Sequence, residues 1–471
     1  MLTLGHFLET LSTYEQIGSE PAVSRVVMDS REAEPNSLFV AYKGANVDGH
    51  DFVAEAFTQG AIAALVERPI SEEFATIDLR TAEPPAAPFS ASAPVCLVVE
   101  DSITALQTSA KAWRARFPVE VIGITGSVGK TSTKELTHAV LANKYRTFKS
   151  PGNRNSILGL PLALFDLQES DEKAVLEMAM YTIGEIAALC DMTSPKVGVV
   201  TLVGAVHLER AGSMENIVKA KQELVEALPA DGTAILNKDD ALVMSMAEHT
   251  QANIFTYGLN NTADLWASHI RSKGLDGVRF TLHHKKESMV VQVPLLGRHS
   301  VHTSLRAAAV GLVEGMTWDE ILHGLRNTAV QLRLVTVPGP KNSLIIDDTY
   351  NASPDSVLAA LNLMHDLDGR SVAVLGDMLE LGYLEEEGHR QVGRRAAEVA
   401  KLLVTVGQRA RWIGEEAIAS GLPKDKVVMV DDAVTAVATL EELIEENDTV
   451  LVKGSLGMRM DQIINAIGRY D

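Results

Sequence analysis

The chain has 471 residues, 46% of them hydrophobic and 22% charged, a composition that fills apolar cores and excludes a disordered polymer. At about 150 residues per domain, that length predicts three domains. Asp and Glu number 62 against 42 Lys and Arg, a net charge of −20, which counts against a nucleic-acid or anionic-membrane surface but leaves room for a small basic pocket.

Two cysteines, Cys96 and Cys190, cannot by themselves build a disulfide framework or a zinc cage. The opening MLTLGHFLETLSTYEQ has no basic stretch followed by a long apolar run, and no run of 18 apolar residues occurs anywhere. Neither a signal peptide nor a membrane span is expected, which predicts a cytoplasmic, reducing setting.

The first hundred residues read as a small mixed α/β domain. Ser37 to Tyr42 (SLFVAY) and Ala61 to Glu67 (AIAALVE) have the look of strands, Asp51 to Gly60 that of a short helix ended by glycine, and Cys96 to Val99 that of a further strand. Between them TAEPPAAPFSASAP, with four prolines, predicts a loop or insertion.

A second domain, 102–330, opens on the buried-strand run Val119 to Thr125, a Gly-rich turn and an amphipathic helix from about Thr131. Further strands are predicted at Ala174 to Met178, Val197 to Val203 and Thr233 to Leu236, with helical patterns between them, the rhythm of a mostly parallel sheet. Ile254 to Val293 carries several strand runs in succession and predicts an antiparallel flank; Val301 to Glu314 returns to helix.

From a boundary near Thr328 to Val337, the third domain, 331–471, alternates strand and helix five times, through SLIIDD, SVAVLGD, LLVTVG, KVVMVD and DTVLVKG. That is a doubly wound, Rossmann-like pattern. The acidic run Glu385 to Glu387 reads as a solvated surface turn.

The strongest local signal is GITGSVGKTSTKE, Gly123 to Glu135. Gly126, Ser127, Val128, Gly129, Lys130, Thr131 and Ser132 form a phosphate-cradling loop. Its glycines let N–H groups turn inward, and the following helix adds positive potential at its N-terminus. Lys130 is the residue type that pairs with β- and γ-phosphates, and Thr131 the type that offers a hydroxyl to Mg²⁺. The general pattern wants a glycine where this chain has Ile124, so the shorter form G-x-x-G-K-T remains. Such a loop indicates ATP or GTP without saying which reaction.

Other segments follow in a fixed order: PGNRNSILGLPLAL from Pro151, VLEMAMYTIGEI with Glu177, His207-Leu208-Glu209, and AKQE with Lys221. Then come GRHSVHTSLRAAA from Gly297, DDTYNASPDSVLAAL from Asp347, VLGDMLELG from Val374 and LVKGS ending at Ser455. Near the front stands DSREAEPNSLFVAYKGANVDGHDF, Asp29 to Phe52. Together these segments resemble the Mur ligase family over nearly the whole chain.

The resemblance implies an ATP-dependent amide ligase of peptidoglycan-precursor synthesis, working through an acyl phosphate. DDTYNASP and LGDMLELG point to the branch that joins D-alanyl-D-alanine to UDP-N-acetylmuramoyl-tripeptide. Residues 1–101 would bind the UDP-sugar, the central domain ATP and Mg²⁺, and the last domain the dipeptide and part of ATP. The partners are thus small molecules, and a monomer is expected. A different amine acceptor, or a non-ligating ATP-binding regulator, are the alternatives.

By the same resemblance Glu177 and His207 ligate Mg²⁺, and Lys221, by default a lysine on a solvated helix face, becomes carbamylated and faces the metal. Asn153 and Asn155 hold the UDP-sugar substrate or the active-site loop; Arg333 reaches the ATP phosphates and Asp348 the ribose. Tyr350, Asn351, Lys453 and Ser455 belong to the dipeptide side of the cleft, and Ser30, Arg31, Lys43 and His50 are candidates for the UDP moiety. The chain departs from the family's usual residues at Ser156, Ala179, Ser300, Thr303, Ser353 and Leu456.

Overall fold

A computed structural model describes residues 1–81, 94–206, 208–326 and 335–468. Most of the proline-rich TAEPPAAPFSASAP segment, most of the second domain boundary, His207 and Arg333 lie outside those described residues.

The chain divides into two compact units, one of residues 1–121, 146–178 and 187–195, the other of 122–145, 179–186 and 196–471. In the first unit, strands β1 (Val26–Val27), β2 (Leu38–Val40), β3 (Ala63–Val66), β4 (Ala75–Asp78) and β5 (Val95–Val98) form a sheet in the order β1-β2-β3-β5-β4. All four pairings are parallel. β2, β3 and β5 are apolar at every position and buried, as strands covered on both faces must be. Phe39, Ala64, Val66, Cys96 and Val98 build the core there against Val53 and Ala56 of the helix Val53–Thr58. Burial pushes the Cys96 thiol up to about 11, so it packs as a small hydrophobe. Cys190 is also buried and unbridged.

β6 (Glu120–Thr125) begins in the first unit and ends in the second. The first unit also holds β7 (Thr147–Lys149) and β8 (Lys173–Glu177), paired in parallel. In the second unit β9 (Val197–Val200) pairs in parallel with β6 and with β10 (Thr233–Asn237). β11 (Asn253–Gly258), β12 (Leu265–Ser272), β13 (Val278–His284) and β14 (Glu287–Val293) continue outward in that order.

The antiparallel flank expected over Ile254 to Val293 is confined to β12, β13 and β14. β11 instead runs parallel to both neighbours. Its link from β10 contains the helical turns Ala241–Met244 and Ser245–His249, a crossover that returns the chain in the same direction.

The last sheet contains β15 (Val335–Pro338), β16 (Leu344–Asp348), β17 (Ser371–Gly376), β18 (Leu402–Val406), β19 (Val427–Val430) and β20 (Thr449–Lys453), in the order β15-β16-β20-β17-β18-β19. Every pairing except that of the edge strand β15 is parallel. Two apolar cores build on it, one around Leu361, Leu375 and Leu403, the other around Val374, Val404 and Ile464. The Rossmann-like expectation therefore holds, with one antiparallel edge strand added.

Glu385 to Glu387 is not a turn. It is the first turn of the helix Glu385–Val399. Three carboxylates favour that end because the helix dipole is positive there. They also pair with Arg409, Arg390 and Arg394.

Candidate active site

The phosphate loop leaves the C-terminal end of β6. Gly126 has φ +139°, and a Cβ there would lie 1.8 Å from Thr201 Oγ1, so only glycine fits. Gly129, at φ +85°, is the left-handed cap of the helix Lys130–Leu141. Neighbours lock the loop: Thr201 Oγ1 donates to the Val128 carbonyl at 2.7 Å, and Ser127 N–H donates to the Leu202 carbonyl at 2.8 Å. Ser127 Oγ meets the Gly204 amide and carbonyl, both at 2.9 Å. Lys130 Nζ folds back onto the Gly126 carbonyl at 2.9 Å. Thr131 and Ser132 are half-buried at the helix start. A Cβ at Gly126 would strike Thr201 and one at Gly129 would press on Arg306, so glycine keeps the loop in a shape that suits a phosphate chain.

Beneath the loop lies Arg306, 4% exposed, on the helix Ser300–Val313, directly before its apolar stretch Ala307–Val313. Its Nε donates to Thr133 Oγ1 at 2.8 Å, and Thr133 Oγ1 in turn donates to the Gly129 carbonyl at 2.6 Å. The guanidinium also donates to Thr303 Oγ1 at 2.9 Å and stands 5.8 Å from the centre of the Tyr257 ring. Arg306 is a positioning residue that the sequence reading did not single out. Its signal is an arginine at the head of an apolar helical run.

Lys221 is 5% exposed on the helix Met214–Glu226, and among the described residues its ammonium has no hydrogen-bond or ion-pair partner. Burial, and then the Lys130 cation, hold its pKa well below the usual lysine range. Its neighbour Lys219 is exposed and paired with Glu215 at 2.8 Å. The two lysines of one helix thus differ completely in chemistry, and the A-K-x-E frame selects the buried one.

His299 shows the same field from the other side. Its pKa is lowered to about 4, chiefly by enclosure within the protein and then by the charges of Lys453 and Arg306. Its side chain is nonetheless exposed to solvent. Cations converge there on a chain whose net charge is −20, as an anionic ligand requires.

Glu177, 1% exposed, ends β8 and accepts from Asn155 Nδ2 at 2.9 Å. Asn153 is exposed in the turn just before, and its carbonyl accepts from the Asn155 amide at 2.8 Å.

Near the front of the chain, the four residues do not converge with free groups. Arg31 is held by both oxygens of Asp29. That contact keeps the Asp29 pKa down at about 2. Ser30 Oγ donates to Glu55 at 3.0 Å. His50 is buried; its Nε2 accepts from the Glu67 amide at 2.9 Å and its Nδ1 donates to Asp48 at 2.6 Å, so both ring nitrogens serve the fold. Lys43 is exposed.

In the last sheet, Asp348 and Lys453 end the neighbouring strands β16 and β20 and form a buried ion pair at 2.6 Å. Lys453 also donates to the Asn351 carbonyl at 2.8 Å. Tyr350 and Asn351 are exposed just beyond β16, and Ser455 Oγ accepts from the Leu379 amide at 2.9 Å. Asp348, Asn351 and Lys453 are thus gathered at the C-terminal ends of parallel strands, where open α/β sheets bind ligands.

Four of the departing residues are structurally employed. Ser300 Oγ bonds the Leu296 carbonyl at 2.6 Å, Thr303 receives Arg306, and Ser353 forms a capping box with Ser356. Ser156 Oγ accepts from the Gly159 amide at 3.2 Å. Leu456 is 61% exposed.

A locked phosphate loop, a desolvated lysine and a second parallel sheet with charged strand ends are the parts of a nucleotide-binding α/β enzyme. Three family models match in chain order: Mur ligase family, catalytic domain, over 22–105; Mur ligase middle domain over 124–311; and Mur ligase, glutamate ligase domain, over 332–456.

The UDP-N-acetylmuramoyl-tripeptide–D-alanyl-D-alanine ligase of Bacillus subtilis is 34% identical over 455 residues, covering 96% of this chain and 93% of the relative. That of Escherichia coli is 34% identical over 473 residues, covering 99% and 98%. The crystal structure of MurF from Acinetobacter baumannii superposes with a TM-score of 0.84 at 29% identity over 98% of both chains. MurF ligase from Thermotoga maritima in complex with ADP gives 0.78 at 28% identity, over 94% of this chain and 96% of that one. The chain belongs to the Mur ligase family and has its three-domain fold.

Proposed function

We propose that the protein joins D-alanyl-D-alanine to UDP-N-acetylmuramoyl-tripeptide, converting ATP to ADP and phosphate. The observation that carries this is likeness at both levels to proteins of that one activity: 34% identity over nearly the full chain, and MurF structures covering 98% of it. Residues 1–101 take the UDP end, 102–330 ATP and metal, and 331–471 the dipeptide and part of ATP. The protein acts as a cytoplasmic monomer on these small molecules.

A carboxylate is a poor electrophile because its leaving group would be an oxide. Attack of the tripeptide's terminal carboxylate on the γ-phosphorus breaks the bond to ADP and yields an acyl phosphate. The dipeptide amine then forms the amide, losing a proton as phosphate departs. The protein's share is positioning and charge neutralisation. Lys130 and the loop amides hold the β- and γ-phosphates, and Arg306 keeps the loop in shape through Thr133. Arg333 reaches the phosphates, Asp348 the ribose, and Tyr350, Asn351, Lys453 and Ser455 the dipeptide. Asn155 orients Glu177. In the front domain Ser30, Arg31, Lys43 and His50 bear on the UDP moiety through the loops they fix.

Lys221 is suited to carbamylation because burial favours its neutral amine. That amine attacks CO₂, a nitrogen–carbon bond forms and a proton leaves, giving a carbamate whose oxygens match the hard-cation preference that an amine does not. Thr131, Glu177, His207 and carbamylated Lys221 would hold Mg²⁺, which supplies neutralising charge where two anions must approach.

The test is product mass spectrometry with ATP, Mg²⁺, UDP-N-acetylmuramoyl-tripeptide and a panel of amines. The dipeptide adduct should appear and should vanish with Lys130→Ala. An adduct with another amine instead would change the pathway step. ATP binding with no adduct at all would leave a regulatory protein.

A further inference from the structure

The peptide between Val128 and Gly129 stands at the crest of the phosphate loop, and its carbonyl accepts from Thr201 Oγ1 at 2.7 Å. A trans peptide is planar, with its C=O and N–H pointing opposite ways. A carbonyl drawn towards Thr201 therefore turns the Gly129 N–H to the side of the loop away from Thr201. Among the described residues, the Val128 and Gly129 amides donate to no protein acceptor. Both are available to a phosphate oxygen.

Glycine makes this orientation insecure. Gly129 sits at φ +85°, and a residue without a Cβ takes the opposite sign of φ about as readily. Turning the Val128–Gly129 peptide over changes chiefly ψ at Val128 and φ at Gly129. It would aim a carbonyl oxygen where the N–H had pointed, and that oxygen repels phosphate. The residue that permits the loop thus also lets one of its amides invert, unless a contact from outside the loop holds the peptide.

Thr201 has the rigidity for that task. It is wholly buried. Its N–H donates to the Thr125 carbonyl at 3.0 Å, and its own carbonyl accepts from Tyr257 Oη at 2.8 Å and from Asn237 Nδ2 at 3.1 Å. Its single hydroxyl proton is spent on Val128, 73 positions away, and none is left to give a ligand. Gly126 serves the same contact: a Cβ there would lie 1.8 Å from Thr201 Oγ1, so glycine is what admits the hydroxyl to the loop. We infer that Thr201 is a positioning residue for the phosphates of the nucleotide, its hydroxyl locking the Val128–Gly129 peptide with the N–H turned to the ligand. The inference rests on the ATP-dependent reading above.

The test pairs Thr201→Val, which removes the hydroxyl and keeps the shape, with Thr201→Ser, which keeps the hydroxyl. Thr201→Val should weaken ADP binding roughly tenfold, as the loss of one hydrogen bond allows, and raise KM for ATP by a similar factor. Adenosine, which carries no phosphate, should bind the variant within about twofold of the wild type, and KM for the UDP-linked tripeptide should hold as closely. Thr201→Ser should return ADP binding to within about threefold of the wild type. In protein labelled with ¹⁵N at glycine, ADP should move the Gly129 amide proton downfield in the wild type and the serine variant but not in the valine variant. Thr201→Ala replaces Thr201→Val if the latter does not fold, and the wild-type shift needs no variant.

Equal ADP affinity with and without the hydroxyl would overturn the inference. So would a serine variant no better than valine, a Gly129 amide that ADP leaves unmoved in the wild type, or adenosine binding lost in step with ADP. ADP binding without an amide product from any amine would overturn the ligase reading and leave this inference standing, because its readout is binding. A wild type that binds no ADP would overturn both.

Discussion

Lys221 sets a conflict between folding and chemistry within one side chain. Its pKa in the fold lies well below the usual value, chiefly through burial and then through Lys130, whereas in the unfolded chain it titrates near ~10.4. Between those two values the unfolded chain binds the extra proton. Stability therefore rises with pH through that window and levels off above ~10.4. In CO₂-depleted buffer, Lys221→Met should melt above the wild type at pH 7, and the gap should shrink towards pH 10. The same variant should lose at least ~10²-fold of any ligase activity. A variant that melts lower at pH 7 would mean that the ammonium has a stabilising partner in the fold. At Gly126 and Gly129 the positive φ is a local requirement that lets the motif be read from the sequence, whereas the collisions a Cβ would make with Thr201 and Arg306 are tertiary. Arg306 and His50 are different: each has one near partner, Thr303 and Asp48, but its other partner lies 173 or 17 positions away. The near residues do not reveal that distant contact.

At the level of elements, the parallel strands were legible because each is a short apolar run bounded by polar turns, and burial on both faces demands that. The acidic run at Glu385 misled for an equally physical reason: solvated charge clusters look alike in a turn and in a helix's first turn, and only the following Arg390 and Arg394 distinguish them. β11 misled because strand propensity does not encode direction. The ends of β16 and β20 carry a further prediction. Lys453, 2% exposed, neutralises Asp348 there. Lys453→Ala should strand a buried carboxylate and cost about 3–5 kcal/mol in urea unfolding. Asp348→Ala combined with Lys453→Ala should cost less than the sum of the two single changes, since the pair fails as a unit. Strict additivity would show that the two charges do not depend on each other.

For the whole molecule, the decisive quantity is a net charge of −20 carried by a protein whose candidate site is cationic. Like charges spread over the surface repel at low salt, and raising ionic strength from about 10 mM to about 150 mM shortens the screening length from about 30 Å to about 8 Å. The melting temperature should rise across that range, by roughly 2–4 °C per kcal/mol of relieved repulsion. A fall would mean that surface ion pairs such as Arg390–Glu386 outweigh the repulsion. The sequence by itself determined the three-part α/β organisation, the phosphate loop and the order of the family's motifs, because periodicity, glycine placement and residue spacing are local properties of the chain. Tertiary structure alone decided which of two helical lysines is desolvated, that Arg306 braces the loop, and that Thr201 reaches the Val128 carbonyl. Those outcomes depend on burial and on contacts between distant segments, and both exist only once the chain has packed.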